Sequence, residues 1–432
     1  MFFYPIFFYK SLISKFFLTF ISLSVIASIY SEVVAAGGFQ ISDHSVAAMG
    51  RAQAGYGIVG DDASAVYFNP AGMVLLDKKF LQIGAVYFDT SAEIENTGST
   101  GFNAGDNGDG TRNSVVPNVF FVMPLENNIH IGLGLTVPFA TRNGYEDNFF
   151  GRYNGLETEL VFLDLNPVIS YQVSEHLSIG GGISLQKSDV IYNTAVYTGA
   201  PVDAELNLDA DSDISLGYNL GLMVSLSESA RFGFGYRSKV DHDIEGGATF
   251  ANVGPASGTF NSEVLFEAPA TAYAAYVQHL SPKVILSLGA RWTDWSSLEE
   301  IRIEYPEGNS LGGEDTVVRT AWKDAWTYNI GVDYIYNNDW RWRFGLAFDE
   351  SPIIDGTRSV RNIDGDRRIY SFGANYALSK SASLDFAYGY IDFSDTKIDQ
   401  VTFAFDGTPA SVRAEFNSTR AHTFAVQLNY TF

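Results

Sequence analysis

At 432 residues the chain has room for two or three ordinary domains or for one large all-β unit. Its net charge of −23 argues against nucleic acid as a partner, because phosphate binding needs a basic surface. With no cysteine it has neither disulfides nor thiolate metal sites. Aromatics at 15% beside only 18% charged residues fit a β-protein that faces something apolar.

Residues 1–36 carry Lys10 and Lys15, an apolar run from Phe16 to Tyr30, then Val33-Val34-Ala35-Ala36. That order is a signal peptide with cleavage after Ala35 or Ala36, and it implies export. An uncleaved anchor is the alternative, disfavoured by the short apolar run and the alanine pair. Residues 37–79 are rich in small residues and lack strict alternation. They are expected to form a compact plug, ending in a turn at Asn69-Pro70-Ala71-Gly72. Asn before Pro favours an extended state and Pro fixes φ.

From 80 to 432 the chain alternates apolar and polar residues with period two, the mark of half-buried strands. Phe424, Val426, Leu428 and Tyr430 share one face, opposite Thr423, Ala425, Gln427 and Asn429. Trp340, Trp342, Phe344, Leu346 and Phe348 share another, opposite Arg341, Arg343 and Asp349. Short turns near 127, 175, 228, 282, 338 and 380 alternate with long polar loops near 96–113, 141–157, 195–211, 241–267, 296–324, 350–366 and 394–420. Six turns and seven loops make fourteen strands. Hydrocarbon cannot satisfy free backbone groups, so a spanning sheet must close on itself. The expected fold is all-β: a 14-stranded antiparallel transmembrane β-barrel over 80–432, plugged by an N-terminal hatch. Short periplasmic turns and long outer loops place it in the outer membrane of a Gram-negative cell. Trp292, Trp295, Trp322, Trp326, Trp340, Tyr376, Tyr390 and Tyr430, near strand ends, are expected to form interfacial girdles. A soluble sandwich or propeller explains the alternation but not the short–long asymmetry. A lumen of this width exceeds what wall side chains can fill, which is the reason to expect a plug.

Inward-facing Arg341, Arg343 and Asp349 allow two readings: a seat for a carboxylate headgroup, or an ion-pair network that sets barrel shape. Arg367, beside Asp366 at a loop-to-strand junction, divides the same way. Gly308-Asn309-Ser310-Leu311-Gly312 matches the Gly-x-Ser-x-Gly nucleophile pattern but lies in a loop rather than on a strand-to-helix elbow. The six histidines are scattered, and Asp106-Asn107-Gly108-Asp109-Gly110 lacks the terminal acids of a calcium loop. No catalytic site, metal site or cofactor is expected.

The chain resembles the long-chain fatty acid outer-membrane transporter family (FadL/OmpP1/TodX-like) over essentially its whole mature length. The resemblance is carried by Ala36-Gly37-Gly38-Phe39-Gln40-Ile41, Gly50-Arg51-Ala52, Asp61-Asp62-Ala63 and Asn69-Pro70-Ala71-Gly72. It continues through Val116-Pro117-Asn118, Trp322-Lys323-Asp324-Ala325-Trp326, Phe348-Asp349-Glu350-Ser351-Pro352 and Asp364-Gly365-Asp366-Arg367. It implies capture of a hydrophobic ligand outside, binding near the N-terminus beside Phe39 and Ile41, a hatch rearrangement, and sideways exit at a kinked third strand. That strand is expected over about 129–140, with the kink at Gly132, Gly134 and Pro138 and the Asn69–Gly72 turn abutting the opening. The loop at 195–211 is short for the family's outer groove. The expected function is passive uptake of long-chain fatty acids or similar hydrophobic molecules. Aromatic or alkane hydrocarbons are the first rival cargo. A lipase using Ser310 and a structural barrel or adhesin are more distant rivals. Partners are hydrophobic small molecules, outer-membrane lipid and lipopolysaccharide, with a monomer as the default.

Overall fold

The computed structural model describes residues 38–309, 315–403 and 408–432. The proposed signal segment and Ser310 to Gly312 of the Gly-x-Ser-x-Gly match lie outside the described residues.

Fourteen strands follow one another around a closed wall. They are β1 (Phe80–Ser91), β2 (Ser114–Pro124), β3 (Ile129–Thr136), β4 (Glu157–Gln172) and β5 (Leu177–Val196). Next come β6 (Ser215–Ser227), β7 (Ala230–Arg237), β8 (Thr271–Ser281), β9 (Val284–Thr293) and β10 (Ala325–Ile335). The last are β11 (Trp340–Asp349), β12 (Arg367–Ala377), β13 (Ala382–Phe393) and β14 (Arg420–Thr431). Each pairs antiparallel with the next, and β14 closes on β1 with Phe80 opposite Thr431 and Ser91 opposite Arg420. The barrel is therefore the one that the alternation of turns and loops predicts.

The period-two pattern becomes a two-faced wall. On β14, Phe424, Val426, Leu428 and Tyr430 are exposed, whereas Thr423, Gln427 and Asn429 are buried. Ile330, Phe344, Leu346, Phe372 and Phe386 continue the outward apolar belt. The turn after β2 is tight because Asn127 and Asn128 both take φ 61°, a left-handed pair that asparagine tolerates and a two-residue hairpin requires. Two expected girdle residues turn inward instead. Trp295 is 1% exposed and Trp322 5%, because both rings pack on Phe39 rather than on lipid.

Several expected loops are strands. Residues 204–212, the hairpin 240–251/258–268 and the pair 300–304/316–319 extend the outer wall above β5 to β9. Their outward residues are polar, so they read as loops, but Leu206, Leu208, Ile244, Phe250 and Val264 alternate inward and are buried. A small sheet of residues 93–96, 108–109, 396–403 and 409–416 caps another part of the mouth. Its underside packs Ile94, Phe149, Phe150, Val360, Val412 and Phe416.

The N-terminal segment runs inside the wall. Helix α1 (Val46–Met49) is capped by Ser45, whose hydroxyl accepts from Ala48 N at 3.0 Å. Val46 N donates to Gln427 Oε1 of β14 at 2.9 Å. Helix α2 (Ala65–Phe68) leads into a 3-10 turn at Pro70–Leu75. Gly72 sits directly over the Gly57 carbonyl, and a Cβ there would collide with that backbone atom. Gly72→Val is therefore expected to destabilise the segment by at least ~1–3 kcal/mol. Faster tryptic cleavage after Arg51 or Lys78 in the refolded barrel would show it; an unchanged cleavage rate would contradict the packing.

Candidate functional site

The third strand is broken. β3 pairs with β2 only from Val119↔Leu135 down to Pro124↔His130. Above that, Ser114–Asn118 keep their ladder with β1 alone, and Val137–Phe139 belong to no strand. The chain resumes as a short strand at Ala140–Gly144 that pairs with β4. Pro117 and Pro138 both lie along this gap, and neither can donate to a ladder. Gly132 and Gly134 lie below it in regular pairing. A Cβ on either would press into Val66 or into the wall, so these glycines let the N-terminal segment approach. The interruption itself sits at Val137–Phe139.

The first described residues cover the gap from inside. Ile41 N donates to Pro138 O and Ala140 N donates to Phe39 O, both at 2.9 Å, with Gln40 bridging to Phe139. The Phe39 ring is 3% exposed. It packs on Phe139, Phe266, Trp295 and Trp322 with centroids 4.8–6.2 Å away. Around these rings lie Phe162, Leu206, Ile244, Phe250 and Ile353, the largest apolar cluster toward the outer mouth. Ile41 belongs to a second cluster with Val46, Met49, Val86, Val116, Val137 and Ala140, which lines the inner side of the gap.

Below these clusters the segment is pinned by charge. Asp61 contacts Arg51 at 2.8 Å, Arg341 at 3.1 Å and Arg343 at 3.1 Å. Asp333 of β10 meets Arg51 at 3.2 Å and Arg343 at 3.0 Å, and Arg343 also meets Asp385. Three guanidinium groups thus face three carboxylates, nearly all buried. Burial opposes the Asp61 charge, but Arg51, Arg343 and Arg341 outweigh it and hold the carboxyl well below the usual range. Arg367 pairs with Asp364 and with Asp349 at 3.4 Å, while Arg291 reaches Asp349 at 3.1 Å. Arg341, Arg343 and Arg367 therefore all point inward, and all are engaged with carboxylates.

Asn69-Pro70-Ala71-Gly72 sits elsewhere than the opening. It rests on a wall patch where Gly180, Gly221, Gly233 and Gly235 of β5 to β7 leave no side chains. Asn69 Nδ2 donates to Leu222 O at 3.0 Å, and its Oδ1 accepts from Ala71 N at 3.2 Å. The glycine patch, not the gap, is shaped to receive it. Next to it Pro167 interrupts the β4–β5 ladder, and the Asn166 amide donates to Ile183 O at 2.9 Å, filling the missing bond. Arg237, paired with Asp164, also donates to Asn166 Oδ1 at 3.1 Å and covers the Tyr67 ring at 4.1 Å. Sequence reasoning passed over Asp164, Arg237, Arg291, Asp333 and Asp385. Their signal was present as charged residues of inward parity on otherwise apolar strands.

Above α1 an internal chamber opens between residues 42–56 and the outer halves of β9 to β14. Its lining includes Asp43, Gln53, Arg291 and Arg367 beside Met49, Phe88, Ile391 and Phe393.

Removing the Asp61 charge leaves the buried Arg51 and Arg343 and the half-buried Arg341 against two carboxylates. Asp61→Asn is expected to weaken docking of the segment by about 3–5 kcal/mol. Accelerated hydrogen exchange at Val46–Ala54 would report it, and wild-type exchange would refute it. His44 adds a pH term. Burial, reinforced by Arg237, lowers its imidazole from 6.5 to about 3. The undocked imidazole takes a proton below 6.5 and the docked one does not until about 3, so docking is full above 6.5 and weakens as pH falls through that window. Asp43 and Asp62, raised by burial, act in the opposite sense. The His44 part is therefore the difference between wild type and His44→Phe, read as the acid-induced change in Trp295 and Trp322 fluorescence. Identical acid profiles would remove His44 from the account.

A family model described as outer membrane protein transport protein (OMPP1/FadL/TodX) matches residues 27–432. The long-chain fatty acid transport protein of Escherichia coli K12 is 26% identical over 452 residues, spanning 95% of this chain and 98% of that one. Outer membrane protein P1 of Haemophilus influenzae is 26% identical, spanning 93% of this chain and 97% of its own. A Pseudomonas aeruginosa FadL homologue superposes with a TM-score of 0.82 at 22% identity, covering 91% of this chain and 100% of that one. The Pseudomonas putida toluene transporter TodX does so with a TM-score of 0.66 at 17% identity, covering 86% and 94%. These two likenesses establish the shared fold. With nearly the whole chain matched and its barrel closed at fourteen strands, the protein belongs to the OMPP1/FadL/TodX family of outer-membrane transport proteins, which are transporters rather than enzymes.

Proposed function

We propose that the protein is a passive outer-membrane transporter for long-chain fatty acids or similar hydrophobic molecules. The observation that carries this reading is the pair of buried apolar clusters at the gap, one with Phe39 and Phe139 and the other with Ile41 and Val137. A ligand replacing those contacts gains by burial, at ~25 cal/mol per Å² of apolar surface. Residues 37–79 serve as the hatch. Their lower part is held by the Asp61 ion pairs, while residues 38–41 attach to the gap by the two backbone bonds at Ile41 and Ala140. Withdrawal of that short stretch opens a route from the lumen into the bilayer. A groove at the mouth, where Tyr153, Tyr192 and Val401 stand among the charged Arg302, Arg319 and Asp399, is the place of first capture, built from the extended outer strands instead of a long loop at 195–211. The belt contacts membrane lipid with lipopolysaccharide above it, and the barrel acts as a monomer. The arginines of the lumen shape the barrel. Residues 1–36 are the signal that exports the chain.

Aromatic or alkane hydrocarbons are the second cargo, favoured by a lumen in which Arg51, Arg341, Arg343, Arg291 and Arg367 are all engaged with carboxylates. Competition against a bound fluorescent fatty acid separates the two. Displacement by oleate is the expected result. Displacement by toluene and not by oleate would move the cargo to hydrocarbons. No binding at all would overturn the transporter reading in favour of a structural barrel. The gap has its own signature: Val137 and Phe139 amides should exchange rapidly while Ile131–Leu135 stay protected. Uniform protection across 129–144 would exclude an opening there.

A further inference from the structure

The internal chamber above α1 has a polar end whose hydrogen-bonding needs define a headgroup. Gln53 Nε2 donates to Asp43 Oδ1 at 2.8 Å, which fixes the orientation of the amide. Gln53 Oε1 then faces away, buried and without a partner. Gln53 is 6% exposed and lines the chamber. Arg367 is 1% exposed and lines the same chamber, and its Nε has no partner either. Two unfilled acceptors, Gln53 Oε1 and Asn329 Oδ1, and one unfilled donor thus border one cavity, whose lining also includes Ser371, Thr423, Met49 and Phe88. Leaving such groups unmet costs free energy, so the site is complementary to a group that both donates and accepts.

Charge decides the protonation state of that group. Arg291 and Arg367 are matched by Asp349 and Asp364, and Asp43 adds a third carboxyl. An incoming carboxylate would be a fourth acid against two cations, and it would bring no proton for Gln53 Oε1. We infer that this chamber receives the polar end of the ligand as an uncharged hydroxyl-bearing group, either a protonated fatty acid or a fatty alcohol, and not as a carboxylate. This rests on the transport reading above and narrows its substrate class. The O–H donates to Gln53 Oε1 and the oxygen accepts from Arg367 Nε; the cavity, of about 30 Å³, admits that group alone, and the chain lies outside it. Asp43 agrees with this arrangement. Burial lifts its carboxyl above the ordinary range, against the opposing pull of Gln53 and Arg291, so the chamber already disfavours negative charge.

The test is displacement of bound parinaric acid from the purified full chain by oleyl alcohol, methyl oleate and oleate, at acidic and at alkaline pH. Oleyl alcohol is expected to displace about tenfold better than methyl oleate, which lacks the donor. As pH rises the alcohol should gain on oleate as a displacer, because oleate and the bound parinaric acid both lose the proton that the alcohol keeps. Gln53→Leu should erase the preference for alcohol over ester. The ratio in the wild-type protein needs no variant and stands if Gln53→Leu fails to fold. Equal displacement by alcohol and ester overturns the inference, as does alkaline oleate outcompeting the alcohol. Displacement by none of the three takes down the transport reading itself.

Discussion

Everything in this molecule follows from the need to leave no backbone group unpaired in hydrocarbon. Fourteen strands satisfy it by closing β14 on β1. The wall fails to satisfy it at one place, where Val137–Phe139 leave the ladder. There the chain supplies its own patch, with Phe39 and Ile41 bonding to Ala140 and Pro138. Pro167 is the contrasting case. It also lacks a donor, but the Asn166 amide makes the bond in its place and the wall stays shut. One proline sits where a side chain repairs the sheet. The other sits where only the N-terminal segment does.

The second constraint is neutrality inside the lumen. Arg51, Arg341 and Arg343 against Asp61, Asp333 and Asp385 form a balanced set, and Arg291 and Arg367 against Asp349 and Asp364 form another. Losing one member strands a charge, whereas the full set costs little beyond desolvation. The lumen is thereby polar enough to hold a plug and yet presents little net charge to an apolar passenger.

Much of this was legible in the chain. Alternation such as Phe424, Val426, Leu428 and Tyr430, with short turns set against long loops, was enough for strand number and facing, because lipid imposes that pattern on every strand. Outer hairpins such as 240–251 were misread as loops because their outward faces meet water. Trp295 and Trp322 were misplaced because proximity to a strand end does not say which way a ring points when a partner such as Phe39 waits inside. The roles of Arg51 and Asp61 were hidden for another reason. Their partners on β10 and β11 lie 280 to 282 positions away, and no local pattern links them. The Asn69–Gly72 turn was legible as a turn, but its seat depends on glycines in three separate strands.

The same long reach bears on how the protein is assembled. The N-terminal segment is made first, yet its anchors Asp333, Arg343 and Gln427 lie on β10, β11 and β14. Its Asn69–Gly72 end can seat on β5 to β7 earlier, but its ion pairs and the Val46 bond wait for the last strands, and once β14 meets β1 no side of the wall remains open to admit it. Docking and closure must therefore be nearly simultaneous, and contacts of such high sequence separation form late. The final seam of the barrel thus doubles as a proofreading step. A chain whose plug is misplaced withholds the Val46–Gln427 bond from β14, and the strand that should complete the wall is the one left less firmly held.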